Sequence, residues 1–354
     1  MSVVWKKRLL LGPGDVRASR EGWEVLGVFN PGAAWVGGEV VLLVRVAECP
    51  RERRAGYVAL PRWDAVHGPV IDWAAETDIE PIDPRVVRLK STGLVRLTFV
   101  SHFQVLRSRD PWSFDTVGTA RWEPDAEWEE YGVEDPRITR IGDCYWITYV
   151  AVSRHGVATA LASTADFRSF RRHGIIFPPE NKDVVLFPER IGGEFVALHR
   201  PHGATRFARP AMWLARSGDL LQWGRHQPLF GGRADWESGR VGAGPPPLRV
   251  PQGWLAIYHG NCRPARPGEV GRYQAGAMLL GADNPAQIVQ CTAEPILTPT
   301  EPFERQGFVG EVVFPTGILD AGDAFLVYCG ASDTHTMVAE ATRREVMDHL
   351  RLVA

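Results

Sequence analysis

The most distinctive chemical feature of the sequence is an acidic pair, Glu134 and Asp135, directly before Pro136 and a strand-like run of residues. Proline fixes its own φ and disfavours the α region for the preceding residue. We therefore expect Asp135 to be extended at a strand start, with its carboxylate held in one direction. Such a carboxylate can act as a general acid, or it can simply cap a turn.

Cationic side chains near the ends of strand-like runs form a second set of candidates, namely Lys182, Arg154, His155, His199, Arg200 and His259. Arginine offers a bidentate fork to phosphate, and lysine offers a compact point charge. Glycosidases that use water need two carboxylates, about 5 Å apart in retaining enzymes and about 6.5–9.5 Å apart in inverting ones. One acid among several cations therefore favours a nucleophile that is already charged, such as inorganic phosphate. Singly, each cation also has a structural interpretation, as a surface ion pair or a hydrogen-bonded core histidine.

Motifs of other kinds of site are missing from the sequence. The histidines lack the H-x-x-x-H and H-E-x-x-H spacings of metal sites, and no P-loop or G-x-G-x-x-G follows a strand. The Gly-rich run at 242–247, G-A-G-P-P-P, is stopped by prolines and cannot open a helix. We therefore expect no metal and no cofactor, with inorganic phosphate as a co-substrate.

Composition restricts the fold and the partners. The 354 residues are 45% hydrophobic, and their 36 Gly, 27 Pro and 13 Trp suit many short strands better than long helices. A formal net charge of −2 argues against a nucleic-acid or membrane-surface partner held by bulk charge. No apolar run in the sequence approaches the length of about 20 residues that spans a bilayer. The apolar run near the N-terminus is too short for the core of a signal peptide. Five scattered cysteines are typical of free thiols, so we expect a cytoplasmic protein.

An internal repeat predicts the architecture. Each copy has a first strand that begins near a proline, then a Gly-containing turn, then a second strand rich in aromatic and aliphatic residues. The five copies are residues 83–99, 135–149, 186–199, 246–259 and 314–328. Their spacing of roughly 50 to 70 residues is typical of propeller blades. We predict one all-β domain over residues 1–354, a five-bladed β-propeller. The residues that begin the innermost strands would then face one another across a central channel.

The two ends and one long loop complete this prediction. The segment through Arg45 should supply a strand that completes a blade with the C-terminal part. Apolar residues in 338–352 have the spacing of a short amphipathic helix. The Trp- and acid-rich stretch 110–130 is predicted to be a loop at the channel mouth, over its own site or that of a neighbouring copy in a homo-oligomer.

Several motifs occur in one order along nearly the whole chain. They are F-N-P-G-A at 29–33, D-P-R-V at 83–86, G-V-E-D-P-R-I-T at 132–139, A-V-S-R-H-G at 151–156, N-K-D-V-V-L-F-P at 181–188, L-H-R-P at 198–201, G-A-G-P-P-P at 242–247, Y-H-G at 258–260, V-V-F-P-T-G at 312–317 and C-G-A-S-D-T at 329–334. This set resembles glycoside hydrolase family 130, the mannoside phosphorylases and related β-mannosidases. The fold of that family is a five-bladed propeller, in agreement with the repeat.

The resemblance implies a role for each matched residue. Asp135 would be the general acid, acting through a sugar hydroxyl and not directly on the bridging oxygen. Arg154, Lys182 and His199 would bind the phosphate that attacks the anomeric carbon, giving α-mannose 1-phosphate with inversion. The residues that would contact the sugars are Asn30, Arg45, Tyr258, Tyr273, Phe314 and Asp333, to which the repeat adds Asp83 at the start of an inner strand.

Two alternatives stay open. Family members that hydrolyse with water lack the complete cationic set and need a glutamate base, for which Glu237 and Glu269 are the candidates. Because Arg154, Lys182 and His199 are all present, we favour phosphorolysis, with short β-1,2-linked mannosides as the expected substrates. The second alternative is a propeller that only binds partners, but such scaffolds repeat a Trp-Asp pair at blade ends, and here one such pair occurs, at 63–64.

Overall fold

The computed structural model describes residues 3–117, 119–203, 207–233, 235–262 and 269–353, and in these ranges the fold is all-β with short helices. The strands of the first half of the chain are β1 (Lys6–Leu11), β2 (Trp23–Val36), β3 (Glu39–Pro50), β4 (Tyr57–Asp64), β5 (Gly68–Ala75), β6 (Ile79–Asp83), β7 (Val86–Leu89), β8 (Val95–Leu97), β9 (Val100–Ser108), β10 (Arg121–Trp122), β11 (Gly132–Ile141), β12 (Cys144–Ser153), β13 (Gly156–Thr164) and β14 (Arg171–Phe177). Those of the second half are β15 (Asn181–Leu186), β16 (Phe195–Pro201), β17 (Met212–Ser217), β18 (Trp223–Phe230), β19 (Arg240–Ala243), β20 (Leu248–Val250), β21 (Gly253–Asn261), β22 (Tyr273–Leu280), β23 (Ile288–Cys291), β24 (Val313–Asp320), β25 (Ala324–Ala331), β26 (His335–Thr342) and β27 (Arg351–Leu352), and the α-helices are α1 (Pro302–Arg305) and α2 (Arg343–Asp348).

Most of these strands belong to five antiparallel groups. The groups are β2-β3-β9-β10, β11-β12-β13-β14, β15-β16-β17-β18, β19-β21-β22-β23 and β24-β25-β26-β1. In the fourth group β20 also pairs with β21, and β27 pairs with β23. The first two groups are joined through a parallel pairing of Ser101 with Gly132. As expected for the N-terminal segment, β1 completes the last group by pairing with β26, with Arg8 opposite Val338.

Three of the five predicted hairpins occur in these groups, as β11–β12, β20–β21 and β24–β25. For 186–199 only the second strand, β16, was placed correctly, because its partner β15 ends at Leu186. The prediction for 83–99 was wrong, because these residues belong to a small sheet, β6-β7-β8, inserted between β3 and β9. The corresponding hairpin of the first group is β2–β3 instead. Burial explains the difference: β3 is enclosed from Val40 to Ala47, whereas β6 to β8 fully bury only Val87 and Arg96. The repeated local pattern alone could not distinguish them.

Apolar side chains pack between successive groups. One cluster joins Leu161 and Phe177 of the second group to Leu186 of the third. Another joins Val28 of the first group to Tyr328 of the fifth, so the last group also packs against the first. Burial of this apolar surface, at about 25 cal/mol per Å², is the main force that holds the groups together.

The C-terminal segment 338–352 is not one helix, as its spacing had predicted. Val338 to Thr342 continue β26, which lies between β25 and β1. The helix α2 begins only after Thr342, whose side chain accepts a hydrogen bond from the backbone of Glu345 in a capping box. Pairing with two neighbouring strands outweighs the helical spacing of the apolar residues. Within the described ranges, neither helix has the length and apolarity to cross a membrane.

Candidate active site

A cavity of about 240 Å³ lies where the first strands of the five groups meet. Each of these strands places a residue on its wall: Asn30 on β2, Asp135 on β11, Lys182 on β15, Arg240 on β19 and Phe314 on β24. Further charged residues of the wall are Arg45, Arg85, Glu134, Glu180, Asp183, Arg200 and Asp333. Acids and cations from all five groups therefore face the same space.

Asp135 is buried, and its Oδ1 accepts hydrogen bonds from Asn30 Nδ2 at 2.7 Å and from Arg45 Nη1 at 3.0 Å. Burial by itself would raise the pKa of this carboxyl. The charges of Arg45, Arg137 and Lys182, together with the Asn30 hydrogen bond, oppose that effect and hold the pKa of Asp135 below its ordinary value. The carboxyl is therefore ionised at neutral pH while these cations are its main neighbours.

The backbone of Asp135 differs from the expectation. Its φ is 51°, in the left-handed region and not extended. The register of β11 on β12 shifts between Glu134 and Arg137, which marks a β-bulge. Bulges turn side chains out of the regular alternation, and aspartate tolerates the left-handed region better than most residues. This bulge lets the consecutive residues Glu134 and Asp135 both reach the cavity.

Two other first strands repeat this device. Asn30 of β2 has φ 50° where the register shifts between Phe29 and Gly32. Asp183 of β15 has φ 55° where the register shifts between Lys182 and Val185. Each bulge places a short polar side chain at the cavity. The sequence signal for these positions is an asparagine or aspartate within a strand-like run, since these residues enter the left-handed region more readily than most.

Glu134 is a second carboxylate of the site, for which the sequence had suggested no role. Its Oε1 accepts a 2.6 Å hydrogen bond from Arg45 Nη2, and its Oε2 lies 3.5 Å from Lys182 Nζ. Arg45 also donates from Nε to Ser101 Oγ at 3.1 Å, so its guanidinium is occupied by fixed partners. Lys182 has a looser contact and a side chain one-third exposed, so it can also reach a ligand.

Asp333, in the turn between β25 and β26, is tied to the inserted sheet. Arg85 Nη1 donates to its Oδ2 at 3.2 Å, while Arg85 Nη2 donates to Asp83 Oδ2 at 3.0 Å. Burial raises the pKa of Asp333, and the charges of Arg85 and Arg45 only partly offset that rise. Asp83 itself is not part of the cavity wall; it holds Arg85, which is.

Asp183 is the centre of a buried charge cluster. Its Oδ2 accepts a 2.6 Å hydrogen bond from Arg200 Nε and lies 3.3 Å from His259 Nε2, and its Oδ1 lies 3.9 Å from Arg137 Nη2. Burial opposes ionisation, but the charges of Arg200, His259 and Arg137 hold the pKa of Asp183 well below its ordinary value. Burial also lowers the pKa of His259. The cluster joins the second, third and fourth groups behind the cavity.

Two of the predicted phosphate ligands lie off the cavity wall. Arg154 has a half-exposed side chain that pairs with Glu130. His199 is enclosed, with Nδ1 3.0 Å from Asn181 Nδ2 and its ring stacked on Phe177. Its neighbour Arg200, which the sequence placed among the candidate cations without a specific role, is on the wall instead.

Strand alternation explains why Arg200 takes this place. Successive side chains of a strand point to opposite faces, and residues opposite each other in an antiparallel pair share a face. Arg200 on β16 is opposite Lys182 on β15, so these two share a face that His199 cannot. The pairing of the two strands was the information that the sequence lacked.

Of the three aromatic residues predicted to contact sugars, two lie on the cavity wall and one does not. Tyr273 and Phe314 are on the wall, with ring centroids 5.9 Å apart. Tyr258 is fully buried and donates its hydroxyl hydrogen to Glu237 Oε2 at 2.9 Å, so it is not available to stack on a sugar. Of the predicted site residues, those that reach the wall are Asn30, Arg45, Asp135, Lys182, Tyr273, Phe314 and Asp333.

The glutamates proposed as bases of a hydrolase, Glu237 and Glu269, are not part of this wall. Among the described residues, no group of three or more His, Cys, Asp or Glu side chains has the arrangement of a metal site. Leu97, Phe99, Val309 and Val312 give part of the wall an apolar surface. The cavity thus combines buried carboxylates and cations with rings that suit the apolar faces of sugars.

Comparison with known proteins agrees with this geometry. Residues 83–352 match a family model described as β-1,4-mannooligosaccharide phosphorylase, Glyco_hydro_130. The chain is 38% identical to the β-1,2-mannobiose phosphorylase of Listeria innocua over 99% of this chain and 98% of that protein. It is 32% identical to a 1,2-β-oligomannan phosphorylase of Thermoanaerobacter over 70% of this chain and 81% of that protein. The solved Listeria innocua enzyme in complex with β-1,2-mannobiose superposes with a TM-score of 0.90, covering 96% of each chain.

Proposed function

Because the chain belongs to glycoside hydrolase family 130, we propose that it cleaves β-mannosides by inverting phosphorolysis and releases α-mannose 1-phosphate. The expected substrates are short β-1,2-linked mannosides, the linkage named for relatives that align over most of this chain. One observation carries the proposal: the cavity that holds Asp135 also holds cations able to receive an anion.

Asp135 is proposed as the general acid, which protonates the leaving group through a hydroxyl of the mannosyl unit. An acid must carry a proton, yet the surrounding cations favour the ionised form of this carboxyl. Bound phosphate would offset part of that positive charge and raise the pKa of Asp135. Phosphate binding and protonation of the acid are therefore coupled in this mechanism.

Phosphate is proposed to bind against Lys182 and Arg200, with Arg240 on the same cavity wall. Lys182 and Arg200 share one face of the β15–β16 pair. The backbone of Arg240 pairs with β21, but its side chain makes no hydrogen bond or ion pair within the described part of the chain, so its charge is available. Direct phosphate contacts of Arg154 and His199 stay predictions from the family resemblance.

The mannosyl unit is proposed to bind between Asn30, Arg45 and Asp333, with Tyr273 and Phe314 stacking on apolar sugar faces. Arg45 and Asn30 both contact Asp135, which would place the sugar hydroxyls beside the acid. Asp83 would act indirectly, without contacting the sugar, by holding Arg85 against Asp333.

We further infer that the five strand groups are the blades of a single five-bladed propeller formed by the whole chain. The packing of the fifth group against the first supports a closed ring. The convergence of all five first strands on one cavity supports a central channel.

The proposal includes no metal or organic cofactor, no nucleic-acid partner and no membrane attachment, and places the enzyme in the cytoplasm. Homo-oligomerisation through the loop 110–130 is part of the same proposal. Hydrolysis with water is the second candidate. The cavity favours hydrolysis only through Glu134, a carboxylate beside Asp135 that could serve as the general base. Arg45 and Lys182 both contact Glu134, however, and hold its carboxylate in ion pairs.

The test is incubation with β-1,2-mannobiose, with and without inorganic phosphate, followed by NMR of the products. We expect α-mannose 1-phosphate and mannose, formed only when phosphate is present. Free mannose alone, at a rate independent of phosphate, would instead identify a hydrolase. Inactivity on β-1,2- and β-1,4-mannosides would favour a binding scaffold.

A further inference from the structure

We infer that Asp183 is a positioning residue that orients the guanidinium of Arg200 toward phosphate. We also infer that Gly242 is required because it leaves space for the carboxylate of Asp183. This inference rests on the proposed function and adds to it residues that hold the anion site from behind. The starting observation is that Asp183, although an acid, lies beside the cations proposed to bind an anion.

The contact geometry shows which part of Arg200 is held. Asp183 Oδ2 accepts from Nε of Arg200 at 2.6 Å. The two terminal nitrogens of Arg200 have no hydrogen-bond partner among the residues that the structure describes, and the side chain is on the cavity wall although it is 95% buried. The guanidinium is thus fixed along one edge, and its other edge is available as a two-pronged donor.

The charges explain why an acid is needed there. Arg137 and Arg200 are both buried and disfavour each other's charge. Asp183 lies between them and contacts both. It serves as the countercharge that lets two guanidiniums occupy one buried region, since an unpaired buried charge is strongly destabilising. Asp183 Oδ2 also lies 3.3 Å from Nε2 of His259, whose pKa is lowered by burial.

Gly242 on β19 forms the back wall of this cluster. A Cβ atom at this position would lie 2.2 Å from Asp183 Oδ2 and 2.7 Å from His259 Cε1. Such a contact would force the carboxylate away from Arg200 without changing any charge. The Gly-rich run of residues 242–247 therefore has a specific use: its first glycine provides the space for the anchor of the phosphate-binding arginine.

The experiment measures phosphate and mannobiose dependence separately for Asp183→Ala and Gly242→Ala. We expect KM for phosphate to rise about tenfold or more in both variants, because a guanidinium that has lost its anchor must be ordered by the ligand. KM for β-1,2-mannobiose should stay within about twofold of the wild-type value. A merely structural role would change both constants together or lower the amount of folded protein, which circular dichroism and the melting temperature report.

Calorimetric titration of the free protein with inorganic phosphate provides a readout without turnover. Wild-type protein should bind phosphate, and both variants should bind it at least about tenfold more weakly. Glu129→Gln is the matched control, because Glu129 is a buried acid that contacts Arg172 and Tyr149 away from the cavity; its phosphate affinity should equal that of the wild type.

The outcomes separate the two proposals. If the wild-type protein forms mannose 1-phosphate but the variants keep a normal phosphate KM, the role of Asp183 is wrong and the function stands. If no mannose 1-phosphate forms but phosphate still binds in a manner that depends on Asp183 and Gly242, the positioning role stands and the reaction is wrong. Absence of phosphate binding to the wild-type protein would overturn both.

Discussion

The side-chain amide of Asn30 donates a 2.7 Å hydrogen bond to Oδ1 of Asp135, across 105 residues of sequence. Both residues lie in bulges with left-handed backbone, on the first strands of neighbouring groups. The bond therefore joins two equivalent points of the repeated fold at the cavity wall. It also lowers the pKa of Asp135, after the larger contributions of the nearby cations.

Asp135→Asn should abolish phosphorolysis while leaving the fold intact. The amide keeps the shape of the side chain but cannot deliver a proton, and general acid catalysis commonly contributes about 10²–10⁴-fold. The measurement is the rate of mannose 1-phosphate release, with circular dichroism as the control for folding. Activity near that of the wild type would remove Asp135 from its role.

Asn30→Ala should shift the alkaline limb of the kcat/KM profile toward higher pH. The Asn30 hydrogen bond favours the ionised form of Asp135, so its loss raises the pKa of the acid and extends the protonated form to higher pH. The measurement is a pH–rate profile for both proteins with mannobiose. An unchanged or lowered apparent pKa would contradict the assignment of that limb to Asp135.

Lys182→Ala should lower kcat/KM for phosphate by about 10²-fold, the usual cost of removing one group that stabilises transition-state charge. Lys182 has only a 3.5 Å contact with Glu134 as its fixed ion pair, so its ammonium can turn to the ligand. Lys90→Ala is the matched control, because Lys90 is exposed and bonds to the carbonyl of Thr77. If the two variants had the same kcat/KM for phosphate, the result would count against a cationic phosphate site.

Arg85→Ala should raise KM for mannobiose about tenfold while leaving KM for phosphate nearly unchanged. The substitution leaves the half-buried Asp333 without its nearest countercharge, and a tenfold change corresponds to about 1.4 kcal/mol. Arg88→Ala on β7 removes an exposed ion pair with Glu80 and should have no effect. A rise in KM for phosphate without a rise in KM for mannobiose would show that Arg85 supports phosphate binding and not sugar binding.

Acid should destabilise the protein from about pH 6.5 downward. Burial lowers the pKa of His102 and of His199 to about 3 in each case. The unfolded chain takes up these protons near pH 6.5 and the folded chain does not, so stability is complete above that pH and falls as the pH drops toward 3. Each histidine contributes about 1.4 kcal/mol per pH unit within this window.

Urea unfolding at pH 7 and pH 5 measures this dependence. His102→Gln should reduce the loss of unfolding free energy between the two pH values, because glutamine does not titrate. The same loss in variant and wild type would show that His102 is protonated in the folded protein.

The fold was largely predictable because strand and turn chemistry is local. Three hairpins and the second strand of a fourth were correctly located from prolines, glycine turns and apolar strands. The same criteria failed at 83–99, where a similar pattern forms the inserted sheet, and at 338–342, where strand pairing replaced a predicted helix. Both errors arise because local pattern does not report which partner strands are available.

By itself the sequence determined which chemistry the chain can perform, since residue types and motif order depend on no contact: an acid at Asp135, a cation at Lys182 and an all-β repeat. Only the tertiary structure decided which neighbours these groups have. Strand register put Arg200 in place of His199 on the cavity wall, and a bulge turned Asp135 toward Asn30. Asp183 draws its partners from three groups, because closing a chain on itself brings together residues that no local rule relates.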